Sequence, residues 1–212
     1  MQNSLLRRLI LLIALLITGS QWTMGQHDDD TSGKSIEVPS LFDSTFETAL
    51  YKGSLDISRH HISGLFFIKK ISGEDVRIIF SNELGFSFFD LEFKGNDFIV
   101  HSCFPSLSRT SLLKLFENDF RLLFFPDTTI IHMKRGKSKD PELFVFRVKS
   151  AKGAFRYTVD KDSGKIRRIQ TLKSIMGKTD LWVYGESSRQ PQKLHIMNSA
   201  IRIHFKMVFI KK

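Results

Sequence analysis

The sequence predicts a mainly β fold of the α+β class, a single curved antiparallel sheet or half-barrel of about 11 strands enclosing one or two helices. Three observations predict it: apolar and polar residues alternate in short runs, the breaks between runs are short turn sequences, and one helical stripe interrupts the strands. Short breaks join antiparallel neighbours, because a parallel crossover needs roughly a dozen residues or more. The chain has 212 residues, 42% hydrophobic and 25% charged, a composition that excludes wholesale disorder.

At the N-terminus, Arg7 and Arg8 precede an apolar run from Leu9 to Ile17 and a small, polar stretch to Gly25. This is the pattern of a cleaved secretory signal, residues 1–25, and nine apolar residues fall short of the roughly 20 a spanning helix needs. No Cys stands at the cleavage site, so the exported chain is expected to be free of lipid. Cys103 is the single cysteine, which excludes an intramolecular disulfide framework. Residues 26–40, with Asp28, Asp29 and Asp30, read as a flexible polar leader, and residues 41–212 as one domain.

Within that domain Leu41, Phe42, Thr45, Phe46, Ala49 and Leu50 suggest a short helix over Leu41–Lys52, with Ser40 as its cap. The period then changes to two over Gly53–Ser58, Ile62–Lys70, Val76–Ser81, Gly85–Phe93 and Phe98–Cys103. A strong helix is predicted over Ser106–Phe125, capped by Ser106 or Ser108, striped by Leu112, Leu113, Phe116, Phe120, Leu123 and Phe124, and stopped by Pro126. The strand period resumes over Leu143–Lys149, Ala154–Val159, Lys165–Leu172, Asp180–Gly185, Lys193–Met197 and Ile201–Ile210.

The last strand places Ile201, Ile203, Phe205, Met207 and Phe209 on one face and Arg202, His204 and Lys206 on the other, so one face is buried and one wet. The same parity turns Phe66, Ile68, Val76, Ile78, Phe80, Phe89, Leu91, Phe93, Phe144, Phe146, Val148, Phe155, Tyr157 and Val159 inward. Leu65, Phe67, Phe86, Phe88, Ile99 and Trp182 fall on the opposite parity, as an exposed patch or at bulges that flip them. The Phe-lined concave face is open to two readings, a packed core or a cavity for a hydrophobic ligand.

The net charge of +10 is uneven. Residues 26–103 hold 7 Lys and Arg against 13 Asp and Glu, whereas residues 104–212 hold 23 against 9. The basic half includes Lys134–Lys139, Arg167, Arg168 and the outward Arg202 and Lys206, candidates for docking an anionic membrane surface or an acidic partner protein. No Lys/Arg-aromatic motif for nucleic acid is present.

Catalytic motifs are absent: no GxSxG, HExxH, CxxC or phosphate-binding Gly loop. His60 and His61 are adjacent and would point to opposite faces of a strand; His101 and Cys103 share a face by parity but lack a third ligand. Asp90 and Glu92 share a face that continues into Phe86 and Phe88 rather than a polar cleft. The reading is of a non-enzyme with no metal and no cofactor. A membrane barrel would need a polar lumen and an apolar outer band, the reverse of the final strand.

The stretches Gly53-Ser-Leu-Asp-Ile, Ser63-Gly-Leu-Phe-Phe-Ile-Lys, Val76-Arg-Ile-Ile-Phe and Gly85-Phe-Ser-Phe-Phe-Asp-Leu-Glu-Phe resemble the opening strands of the LolA/LolB lipoprotein-carrier superfamily. The resemblance implies a one-sided barrel in the periplasm whose apolar cavity, closed by helices, holds acyl chains of a lipid or lipoprotein in transit. By position, Phe66, Phe80, Phe89, Phe93, Phe116 and Phe120 are the residues it implies would touch such a ligand. The alternative is an envelope interaction protein that docks an anionic surface or acidic partner through Arg202 and Lys206.

Overall fold

Alternating residues in runs of six to thirteen become twelve antiparallel strands in the computed structural model, which describes residues 40–73, 75–125, 130–173, 177–185 and 190–210. The expected signal, nearly all of the leader and Pro126, the expected stop of the strong helix, lie outside the described residues. The first meander comprises Thr48–Ile57 (β1), His60–Ser72 (β2), Asp75–Ser81 (β3), Ser87–Lys94 (β4) and Asp97–Cys103 (β5). Thr110–Phe124 (α1) follows. The second meander is Ile130–Gly136 (β6), Leu143–Ser150 (β7), Gly153–Asp160 (β8), Ile166–Lys173 (β9), Thr179–Tyr184 (β10), Lys193–Asn198 (β11) and Ile203–Phe209 (β12).

All twelve strands form one open, curved sheet in the order β5-β4-β3-β2-β1-β12-β11-β10-β9-β8-β7-β6. The two meanders are joined by β1 and β12, which pair from Tyr51 opposite Phe209 to Ile57 opposite Ile203. The edges are β5 and β6, and α1 is the element that connects them in sequence. A lone helix on a sheet must bury its apolar stripe on the sheet's apolar face. Leu112, Leu115, Phe116, Phe120 and Leu123 are accordingly buried, in one core with Phe66, Phe80, Phe89 and Phe205.

The structure corrects four details of the sequence reading. Leu41–Lys52 is not a helix: the chain turns at 43–46, where the Asp43 carboxylate accepts bonds from the Thr45 amide and hydroxyl at 2.7 Å, and β1 begins at Thr48. Pairing on both sides of β1 outweighs a weak helical period, and Phe42 and Phe46 are buried without a helix. The predicted Ser caps lie outside α1, because Phe104–Ser108 forms a turn in which Ser108 Oγ donates to the Pro105 carbonyl, and Arg109 takes the cap position. An unpredicted strand, β6, lies partly within the basic run. His101 and Cys103 do not share a face: the β4–β5 register slips at His101, so Cys103 packs on the core while His101 pairs with Glu92 at 2.6 Å.

Candidate functional site

The inward parity of β2, β3 and β4 brings Phe66, Phe80, Phe89 and Phe93 onto the concave face, and α1 brings Phe116 and Phe120 against it; all six are fully buried. Phe66 stacks on Phe80 at 4.1 Å between ring centroids. Phe89 meets Phe116 at 5.5 Å and Phe120 at 6.1 Å, and Phe205 of β12 meets Phe120 at 4.9 Å. Phe93 belongs to the same core but faces the far end of α1, 5.7 Å from Phe125 and under the Arg121 guanidinium. Rings fill the space beneath the middle of α1.

Open space lies instead at the C-terminal end of α1. A half-open cavity of about 520 Å³ is bounded there by the 40–46 segment, Gly73 and Val76, the β4–β5 turn, the end of α1 and Lys152 of the β7–β8 turn. Its walls are of two kinds. Phe42, Phe46, Val76, Phe124 and Phe125 supply apolar surface, with Phe42 and Phe124 4.9 Å apart. Lys70, Arg121 and Lys152 supply positive charge, against Asp43 as the lining carboxylate among the described residues. Arg121 is fixed in the wall: its guanidinium donates to Glu117 at 3.1 Å and to the Asn96 carbonyl at 2.6 Å. Lys70 donates to the Ser44 carbonyl at 3.3 Å and tethers the 40–46 segment to β2. The parity reading turned attention to strands and stripe and passed over this cavity, because the segments that build it are turns.

A polar clamp interrupts the apolar stripe of α1. Asp119 is fully buried; its Oδ1 accepts from Thr179 Oγ1 of β10 at 2.7 Å and from Asn198 Nδ2 of β11 at 3.1 Å, while its Oδ2 has no partner among the described residues. Burial pushes its carboxyl up to about 6, against the opposing effect of the two hydrogen bonds. The sequence reading placed no polar residue in the core.

On the convex face Lys206 stands with its ammonium 3.7 Å from Asp56, while Arg202 is exposed in the β11–β12 turn at a φ of 52°. Trp182 is half-buried, with the Arg168 guanidinium 4.6 Å above its ring and His195 stacked beside it at 5.5 Å. Asp90 is held by both arms of Arg77 at 2.7 Å. Phe88 sits at the β3–β4 bulge, half-buried and 5.1 Å from Phe80. Leu65 and Ile99 are half-buried, whereas Phe67 and Phe86 are exposed. Leu84 is 94% exposed, Phe86 49% and Phe104 41%, with the two rings 5.7 Å apart, so the β3–β4 turn and the end of β5 carry an apolar tip. Burial pushes the Cys103 thiol up, the reverse of what a reactive thiolate needs.

No family model matches the chain, and no curated protein does. Solved structures do. The chain is similar to a LolA superfamily protein from Nitrosomonas europaea with a TM-score of 0.52 and 9% identity over 77% of this chain and 83% of that one. A domain from Vibrio parahaemolyticus, described as a putative outer membrane lipoprotein-sorting protein, gives 0.47 and 8% over 80% and 86%. A DUF1329 family protein from Desulfovibrio piger gives 0.47 and 8% over 79% and 85%. An open twelve-stranded sheet, its two meanders joined by first and last strands and its concave face filled by one helix, is a LolA-like fold.

Proposed function

We propose that the protein is an exported, non-enzymatic binding or carrier protein that holds an acylated or otherwise hydrophobic ligand between the concave face of its sheet and α1. The observation that carries this reading is the roughly 520 Å³ cavity at the end of α1, in which aromatic side chains continue the Phe-rich core out to solvent. The volume lies within the about 300–1,000 Å³ of small-molecule sites, and apolar transfer at about 25 cal/mol per Å² favours a hydrocarbon chain there. Phe66, Phe80, Phe89, Phe93, Phe116 and Phe120 are proposed to meet the ligand as α1 yields to it. The Arg7-Arg8 and Leu9–Ile17 pattern supports export to a compartment between membranes, with cleavage after Gly25. The apolar tip of Leu84, Phe86 and Phe104 supports delivery at an apolar surface.

Organic extraction of the protein purified from its exported compartment, followed by mass spectrometry, tests the reading. Lipid in near-stoichiometric amount is the expected result. An empty extract, together with no displacement of a fluorescent acyl probe, overturns it.

A further inference from the structure

The cavity at the end of α1 is not uniformly greasy, and its polar residues are arranged with a sign. Among the described residues, the cations Lys70, Arg121 and Lys152 line it against the carboxylate of Asp43. The Asp43 carboxylate is engaged by Thr45, and Arg121 is engaged by Glu117 and two backbone carbonyls of the β4–β5 turn. Lys70 spends one donor on the Ser44 carbonyl, leaving ammonium hydrogens for a guest, and Lys152 lies on an exposed turn at the cavity's wall. The negative end of the α1 dipole also points here, but it amounts to only about half a charge. Glu117 offsets Arg121, so against the dipole and Asp43 it is the Lys70 and Lys152 ammonium groups that leave the described lining cationic.

We propose that this cavity selects amphiphiles with an anionic head: a phosphate or carboxylate held by the Lys70 and Lys152 ammonium groups, with the hydrocarbon chain against Phe42, Phe46, Phe124 and Phe125. The inference rests on the carrier reading above and adds the chemical class of the ligand. A neutral or cationic head would leave the lysines with nothing to offset their partial desolvation, whereas an anion makes charge-assisted bonds to them. Arg121 is the rigid part of the wall, stacked over Phe93 and Phe125 at 5.3 and 5.8 Å, and Lys70 and Lys152 are the adaptable part.

Three amphiphiles of one chain length, dodecyl phosphate, dodecanoate and dodecyltrimethylammonium, each below its micellar concentration, test this by displacing the neutral probe N-phenyl-1-naphthylamine from the purified protein. The expected result is about tenfold tighter binding of an anionic head than of the trimethylammonium head, falling as salt is raised. The ratio of phosphate to carboxylate affinity tells a phospholipid-type head from a free fatty acid. The double variant Lys70→Gln/Lys152→Gln removes the preference, and Lys152→Gln alone, which keeps the Lys70 tether to the Ser44 carbonyl, weakens it without changing the affinity for the neutral probe. Equal affinity for the three heads, or an undiminished preference in the double variant, overturns the proposal and leaves the carrier reading standing. Failure of the protein to take up the neutral probe or any of the three amphiphiles overturns both.

Discussion

Asp119 sits on the apolar stripe of α1, three residues after Phe116 and four before Leu123, so helical spacing turns its carboxylate toward the core. Its partners stand 60 and 79 residues further along the chain, so sequence spacing gave no sign of the clamp. The chemistry has a pH signature. The folded carboxyl is pushed up to about 6 from an ordinary 3.8, mainly by burial, so the folded chain binds a proton more tightly than the unfolded one. Its contribution to stability is therefore fully present below the unfolded value and is lost as pH rises through about 6. A displacement of this size is worth about 3 kcal/mol. Asp119→Asn keeps an acceptor for Thr179 and Asn198 without the buried charge. The variant is expected to be more stable than the parent at neutral pH and to show little pH dependence between about pH 4 and about pH 7, read from urea unfolding midpoints. A slope equal to the parent's would count against the buried charge as its cause. By contrast the burial of the six candidate Phe was legible residue by residue, from period two over β2, β3 and β4 for Phe66, Phe80, Phe89 and Phe93 and from the helical stripe for Phe116 and Phe120.

Among the elements, β1 and β2 show why two glycines lie on the concave face. Gly53 and Gly64 are paired across the strands, and each lies beside an aromatic ring. A Cβ on Gly64 would stand 2.2 Å from the Ser81 carbonyl oxygen and 3.1 Å from the Phe80 ring. A Cβ on Gly53 would stand 2.2 Å from the Lys206 carbonyl oxygen and 3.0 Å from Phe66. Neither position needs a left-handed backbone; what it needs is close approach, and the absent side chains let Phe66 and Phe80 stack. Gly64→Ala is therefore expected to destabilise the fold by about 3 kcal/mol in chemical denaturation, since the clash is with backbone and cannot be relieved by a rotamer. A change below about 0.5 kcal/mol, the range of an ordinary surface substitution, would show that the sheet reshapes at no cost. Where the elements departed from the expectation, register slips were one cause and misleading residue pattern the other. Phe88 and His101 sit at slips in the pairing, β6 was hidden in a basic run, and β1 begins inside a segment whose apolar spacing mimics a helix.

For the whole molecule, the sequence made the sheet, helix α1 and the buried concave face legible, because each follows from local period and turn chemistry. Strand order was not legible, since the partner of β1 lies some 150 residues away at β12, and the cavity was not, since it is built from turns of both meanders. The basic excess of the second half was legible as composition but not as a surface: Arg167 and Arg168 are paired with Asp160 and Asp180, and Lys206 stands near Asp56. The seam between β1 and β12 also dictates an order of events. A chain that emerges N-terminus first, from ribosome or translocation pore, makes β1 first and its outer partner last. Until β12 arrives, β1 is an open edge beside an uncovered bank of phenylalanines, a template for pairing with a second chain. A chain truncated after Asn198 is accordingly expected to lack a cooperative unfolding transition and to aggregate, and a sharp two-state transition would argue against this order. The half-made protein thus carries an aggregation-prone edge for as long as its last strand is still on the way.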